Sequence, residues 1–124
     1  LEQRYGHERL YDDLEDLHKW LDQAFHDGRR VGFAFSEIYK GEFKLDKLYI
    51  HPDVQRRGVG GQLIAHVAER AKKAGYPCVI LQVNKRNVNA IQSYQKYGFV
   101  VREATVEDIG RGFVMDDYVM EKKL

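Results

Sequence analysis

The sequence predicts an α/β domain built on a mixed sheet, with two crossing helices and one early helix. Three observations predict it. An antiparallel meander of alternating apolar residues occupies Trp20 to Ile50. A glycine-rich stretch then opens an amphipathic helix. After that helix comes Cys78-Val-Ile-Leu-Gln-Val83, an almost unbroken apolar run of the kind that is covered on both faces. A strand–helix–strand path of this sort makes the run a parallel neighbour of the earlier strand.

Taken in order, residues 1–19 are polar and acidic. Leu10, Leu14 and Leu17 recur at helical spacing, which predicts a helix from about His7 to Lys19. Trp20 to His26 is a short strand, Asp27-Gly28 a hairpin turn, and Arg30 to Ile38 the partner strand, with Val31, Phe33 and Phe35 alternating. Tyr39 to Glu42 turns again, and Phe43 to Ile50 follows, with Leu48 to Ile50 expected to be buried. His51-Pro52 stops the strand. The helix runs from Gly58 to about Ala74 and carries Leu63, Ile64, Val67, Ala68 and Ala71 on one face. Gly75 and Pro77 end it. Asn84 to Asn87 closes the apolar strand and caps a second helix, about Asn87 to Tyr97, which Gly98 terminates. Phe99 to Thr105, a turn at Asp108 to Gly112, and Phe113 to Lys122 complete the sheet.

At 124 residues the chain is one domain, residues 1–124. Lys+Arg 20 against Asp+Glu 19 leaves a net charge of +1, which argues against nucleic-acid or membrane-surface partners. No apolar run approaches the ~20 residues of a membrane span. The lone Cys78 has no internal partner, so it reads as a buried structural thiol in a reducing compartment, the cytoplasm. No metal site is expected.

The join of strand, glycines and helix is an anion site. First-turn amides lack internal partners, and the helix dipole adds positive charge. Gly58, Gly60 and Gly61 hold no side chain between a ligand and those amides, and Arg56 and Arg57 add full charge. A phosphate or pyrophosphate is the expected occupant. The dinucleotide fingerprint fails, because the sixth place counted from Gly58 is Leu63, and the Gly-Lys-Ser/Thr of a Walker loop is absent.

Gln55-Arg56-Arg57-Gly58-Val59-Gly60 resembles the Gln/Arg-x-x-Gly-x-Gly/Ala motif of the GNAT superfamily of acetyl-CoA-dependent N-acyltransferases. A second segment, Asn87 through Ala90, Tyr94 and Lys96 to Gly98-Phe99, resembles that superfamily's Asn-x-x-Ala-x-x-x-Tyr-x-Lys-x-Gly-Phe. The two stand in the right order with a strand between them, and the likeness covers Trp20 to Leu124. It implies the acyl-CoA N-acyltransferase fold with part of the usual N-terminal strand and helix region lacking, since only one helix is read before Trp20.

It also implies residue roles. Leu48, Tyr49 and Ile50 would offer backbone groups to the pantetheine arm. Gln55, Arg56, Arg57, Gly58, Val59, Gly60 and Gly61 would hold the pyrophosphate of acetyl-CoA, the co-substrate. Asn87 would touch the cofactor, and Tyr94 would face the sulfur. The implied reaction moves an acetyl group to a primary amine, on a small amine, a polyamine or an exposed protein amine, by direct attack. The Glu that some members carry on the second core strand is Gln82 here, which leaves Asp46, Glu37, His51 and Asp117 as candidate bases. Asp116 and Asp117 are placed to face a cationic acceptor. A homodimer through the last strands is a further implication. The alternative on the same fold is a non-catalytic acyl-CoA-binding or regulatory module, and an unrelated nucleotide-phosphate binder is the remoter one.

Overall fold

A computed structural model describes residues 2–5, 18–55 and 57–124, the first four through their backbone. Its strands are β1 (Glu2–Tyr5), β2 (Lys19–His26), β3 (Arg29–Tyr39), β4 (Glu42–Ile50), β5 (Cys78–Asn84), β6 (Val100–Gly110) and β7 (Phe113–Lys123). Its helices are α1 (Val59–Lys73) and α2 (Val88–Lys96), with a 3-10 turn at Pro52–Val54. The strands form one seven-stranded sheet in the order β1-β2-β3-β4-β5-β7-β6. Every pairing is antiparallel except β4 with β5. The mixed sheet is therefore as the sequence predicts.

Four expectations need correction. A strand, β1, does precede the meander, where the sequence had suggested a helix alone; four polar residues carry no alternation that would announce it. Lys19 opens β2 instead of closing a helix, and residues 7–17 of that predicted helix lie outside the described residues. β6 runs on to Gly110, and the turn is only Arg111-Gly112. Leu48 to Ile50 is not a buried stretch: Leu48 and Ile50 are half-buried and Tyr49 is 45% exposed.

The turns follow from backbone chemistry. Asp27-Gly28, Lys40-Gly41 and Arg111-Gly112 each place two successive residues at positive φ, the two-residue turn whose twist matches antiparallel strands.

The core lies between the sheet and α1. Leu63, Ile64, Val67 and Ala71 of the helix meet Ala24, Ala34, Phe43, Leu45, Val79 and Leu81 of the strands. Trp20 stacks on Phe43 at 5.1 Å between ring centroids. Asp22 sits 1% exposed on the same face, and its carboxylate takes the Arg70 guanidinium at 2.5 Å, with the His66 ring at 3.4 Å. Among the described residues no helix is long and apolar enough to cross a membrane.

Candidate functional site

The site begins with one extra residue. On β3, the consecutive residues Phe35 and Ser36 pair with Lys47 and Leu45, so Asp46 has no partner and β4 bulges there. The insertion also shifts the side-chain parity of β4. Phe43 and Leu45 face the helix before it; after it, Leu48 and Ile50 do, opposite Ala34 and Gly32. A bulge bends its strand and increases its twist. The parallel ladder to β5 stops at that point, after Phe43–Val79 and Lys44–Ile80. Beyond Lys44, β4 has no strand on that side among the described residues, and the two strands diverge.

Above the opening sits the entry to α1. His51 continues from β4, its backbone N–H donating to the Val31 carbonyl at 2.8 Å. Its ring Nδ1 accepts from the Asp53 N–H at 3.1 Å, and its Nε2 lies 3.0 Å from the Arg29 guanidinium. Gln55 donates its side-chain amide to the Ile50 carbonyl at 3.3 Å, which folds the loop back on the strand. Gly58 is the helix cap at φ +83°, a conformation that costs an L side chain ~1–2 kcal/mol. The first bond of the helix runs from the Gln62 N–H to the Gly58 carbonyl at 3.0 Å, so the preceding amides lie ahead of the helix's own ladder. Arg57 donates its backbone N–H to the Val54 carbonyl at 3.2 Å. Arg56 lies outside the described residues.

Gly60 and Gly61 have a use the sequence does not show. A Cβ on Gly60 would stand 3.1 Å from the Tyr97 hydroxyl, and one on Gly61 3.1 Å from the Tyr97 ring. The two glycines are the seat of that ring, which ties the end of α2 to the start of α1. Lys122 reinforces the join by donating to the Tyr97 carbonyl at 2.7 Å.

On α2, Asn87 is the N-cap, its Oδ1 accepting the Ala90 N–H at 3.2 Å. The cap leaves its amide nitrogen for a ligand. Tyr94 is half-buried, edge-on to Phe99 at 5.8 Å, and its hydroxyl has no hydrogen bond among the described residues. Burial pushes that phenol above its ordinary pKa.

The four candidate bases separate. His51 is engaged by the loop and Arg29. Asp117, 4% exposed, accepts from the Gln82 amide at 3.0 Å and the Asn84 amide at 3.4 Å, and Asp116 takes Lys85. Asp117 is therefore held within the sheet, while Asp116 is exposed and meets the Lys85 ammonium. Glu37 and Asp46 remain, beside the bulge on the face of the sheet away from α1. Burial, and then the charge and hydrogen bond of Asp46, hold the Glu37 carboxyl above its usual range. Lys44 lies 3.7 Å from Asp46.

Cys78 is half-buried, not buried, and its Sγ accepts from the Arg102 guanidinium at 3.3 Å. Burial raises its thiol, which disfavours the reactive thiolate. Arg102 also clasps Glu42 at 2.7 Å and Glu121 at 2.8 Å. It thereby locks β4, β5, β6 and β7 together at the closed end of the divergence. Neither the clasp nor the Tyr97 seat is legible as spacing, because each joins residues far apart in the chain. The bulge did leave a trace, in the phase change from Phe43/Leu45 to Leu48/Ile50.

The comparisons agree with this geometry. A sequence model of the acetyltransferase (GNAT) family matches residues 1–99. The [ribosomal protein bS18]-alanine N-acetyltransferase of Escherichia coli (strain K12) is 32% identical over 84 residues, covering 68% of this chain and 55% of that protein. The chain thus spans about half the length of that relative. The peptidyl-lysine N-acetyltransferase YjaB of Salmonella typhimurium is 32% identical over 107 residues, covering 86% of this chain and 67% of that protein. Among solved structures, the PaiA N-acetyltransferase of Thermoplasma acidophilum in complex with coenzyme A superposes with a TM-score of 0.74 at 26% identity. It covers 94% of this chain and 68% of that one. With a family match across the diverging strands, the glycine-capped helix and Tyr94, the chain belongs to the GNAT family of acetyltransferases.

Proposed function

We propose that the protein transfers an acetyl group from acetyl-CoA to a primary amine. One observation carries the reading: the β4–β5 ladder ends after Lys44–Ile80, and the first-turn amides of α1 have no partner among the described residues. The free edge of β4 at Leu48, Tyr49 and Ile50 suits an amide-containing arm, which pairs with a strand edge as another strand would. The amides of Val59, Gly60 and Gly61, with Gln55, Gly58 and the Arg56 and Arg57 side chains, suit a diphosphate. Asn87 is the further contact. The relatives' names specify a protein α-amine and a lysine amine as acceptors, which supports an amine here.

The chemistry balances within this set. An alkyl ammonium, pKa ~10.4, must lose its proton before it attacks. Glu37, raised by burial and by Asp46, is the proton acceptor we assign, because a raised carboxyl is a stronger base than an ordinary one. The amine nitrogen then bonds to the thioester carbonyl carbon through a tetrahedral oxyanion. The C–S bond breaks with its electron pair going to sulfur. A backbone N–H of the free β4 edge is the oxyanion donor. Tyr94 donates a hydrogen bond to the departing sulfur. Full proton transfer from a phenol of pKa ~10 to a thiolate of ~8.5 is uphill by ~2 kcal/mol, and burial of Tyr94 makes it more so.

Thiol release with an amine panel, alongside calorimetry with coenzyme A, tests the reading. Saturable thiol release that needs an amine is expected; no heat and no release would overturn it. The non-catalytic acyl-CoA-binding module is favoured by one observation, that both oxygens of Asp117 are occupied by Gln82 and Asn84. Binding without turnover would select it.

We also propose a homodimer through the β6–β7 hairpin. β6 is the sheet's edge, and Val106, Ile109, Phe113 and Val114 are all exposed on that hairpin. Light scattering at twice the chain's 14.5 kDa supports it; 14.5 kDa at tens of micromolar overturns it.

A further inference from the structure

Tyr97 occupies the place that the second motif leaves open, between Lys96 and Gly98. It closes α2, its N–H donating to the Ser93 and Tyr94 carbonyls at 3.2 and 3.1 Å. Lys122 holds its own carbonyl at 2.7 Å. The backbone from which the ring projects is therefore fixed through both of its polar groups.

The ring lies against the first turn of α1 in a definite sense. Its Cε1 and Cδ1 edge is 3.1 and 3.5 Å from the place a Cβ would take on Gly61. Its hydroxyl is 3.1 Å from the corresponding place on Gly60. The hydroxyl is thus the end of the ring set toward Gly60, the residue nearer the Gly58 cap. The amides there come ahead of the first helical bond, from the Gln62 N–H to the Gly58 carbonyl.

A side chain placed only to fill the glycine seat needs no oxygen; phenylalanine or leucine would fill it as well. A tyrosine hydroxyl taken out of water ordinarily finds a hydrogen-bond partner. Tyr97 is half-buried, and its hydroxyl has none among the described residues. Its O–H can rotate to donate, and the first-turn amides beside it are donors too. Donors converging in this way are completed by the oxygens of an anion.

We propose that Tyr97 is a further coenzyme-binding residue, its hydroxyl donating to the diphosphate of acetyl-CoA beside the amides of α1. The proposal rests on the acyl-CoA reading of the α1 entry and adds a contact that neither motif specifies. Gly60 and Gly61 then act in two ways. They leave their amides open to the ligand, and they admit the ring that brings one more donor.

Tyr97→Phe removes the oxygen and keeps the ring in its seat. Calorimetric titration with coenzyme A, together with melting of the free protein, separates binding from packing. A hydrogen bond to a charged group predicts roughly a tenfold loss of affinity, with the melting temperature of the free protein unchanged. ADP carries the diphosphate without the pantetheine arm, so its competition against coenzyme A should weaken by the same factor. In thiol-release assays KM for acetyl-CoA should rise at constant kcat, because the diphosphate is held equally in the ground and transition states. Tyr97→Leu, which also fills the seat without an oxygen, should lose affinity to the same degree. Wild-type affinity in a folded Tyr97→Phe protein, or ADP competing equally against coenzyme A in both proteins, overturns the proposal and leaves the acyl-CoA reading standing. No binding of coenzyme A by the wild type overturns both.

Discussion

Replacing Gly32 by alanine tests the idea that the free edge of β4 is held in place by packing. Gly32 lies on the helix side of β3 opposite Ile50, the last residue of β4. A Cβ there would stand 2.8 Å from the Tyr49 carbonyl oxygen, 3.2 Å from Ile50 Cδ1 and 3.3 Å from Leu63 Cδ1. The two side-chain tips can rotate; the backbone oxygen cannot. The end of β4 must therefore shift away from β3, along the edge assigned to the acyl-CoA arm. Overpacking a well-filled site costs ~1–3 kcal/mol. At ~3–6 °C per kcal/mol for a domain of this size, Tm should fall by roughly 3–18 °C.

Gly41→Ala is the control. It sits in a turn at φ +78° with nothing within 4 Å of a new Cβ, so it carries the backbone cost alone, ~1–2 kcal/mol. Differential scanning calorimetry and titration with coenzyme A measure both variants. Gly32→Ala should lose stability and bind coenzyme A at least several-fold more weakly; Gly41→Ala should lose stability alone. Wild-type affinity in a folded Gly32→Ala protein would refute the claim that the β4 edge is the binding edge.

Tyr94→Phe should lower kcat by roughly 10–100-fold, the worth of one hydrogen bond to a developing charge, with coenzyme A affinity unchanged. Thiol-release kinetics and calorimetry separate the two. Glu37 has a raised folded pKa, so its contribution to stability is present below about 4.5 and is lost as pH rises through the folded value. Comparing Tm against pH for wild type and Glu37→Gln should show wild type losing its relative advantage above that pH, and Asp46→Asn should move the window downward. Asp22→Asn breaks a buried ion pair with Arg70 and should cost ~3–5 kcal/mol, read by denaturant melts. It should leave coenzyme A affinity intact, because the pair ties β2 to α1 away from the opening.

The chain by itself determined the elements that local chemistry dictates. Alternation marked the meander, the Asp27-Gly28 turn needed a positive φ, and Gly58, Gly60 and Gly61 marked the glycine-rich entry of α1. Each of those depends on neighbours within a few residues. The tertiary structure alone decided what depends on two distant segments meeting. It showed that Asp46 is the extra residue that parts β4 from β5, and that Gly60 and Gly61 are the seat of Tyr97. It set His51 beside Arg29 and Asp117 against Gln82 and Asn84, and it set Lys40 across a cavity from Glu103. The physical reason is range: backbone preferences act over one turn or one pleat, whereas the partner of a charge or a ring is fixed only when the sheet has closed around it.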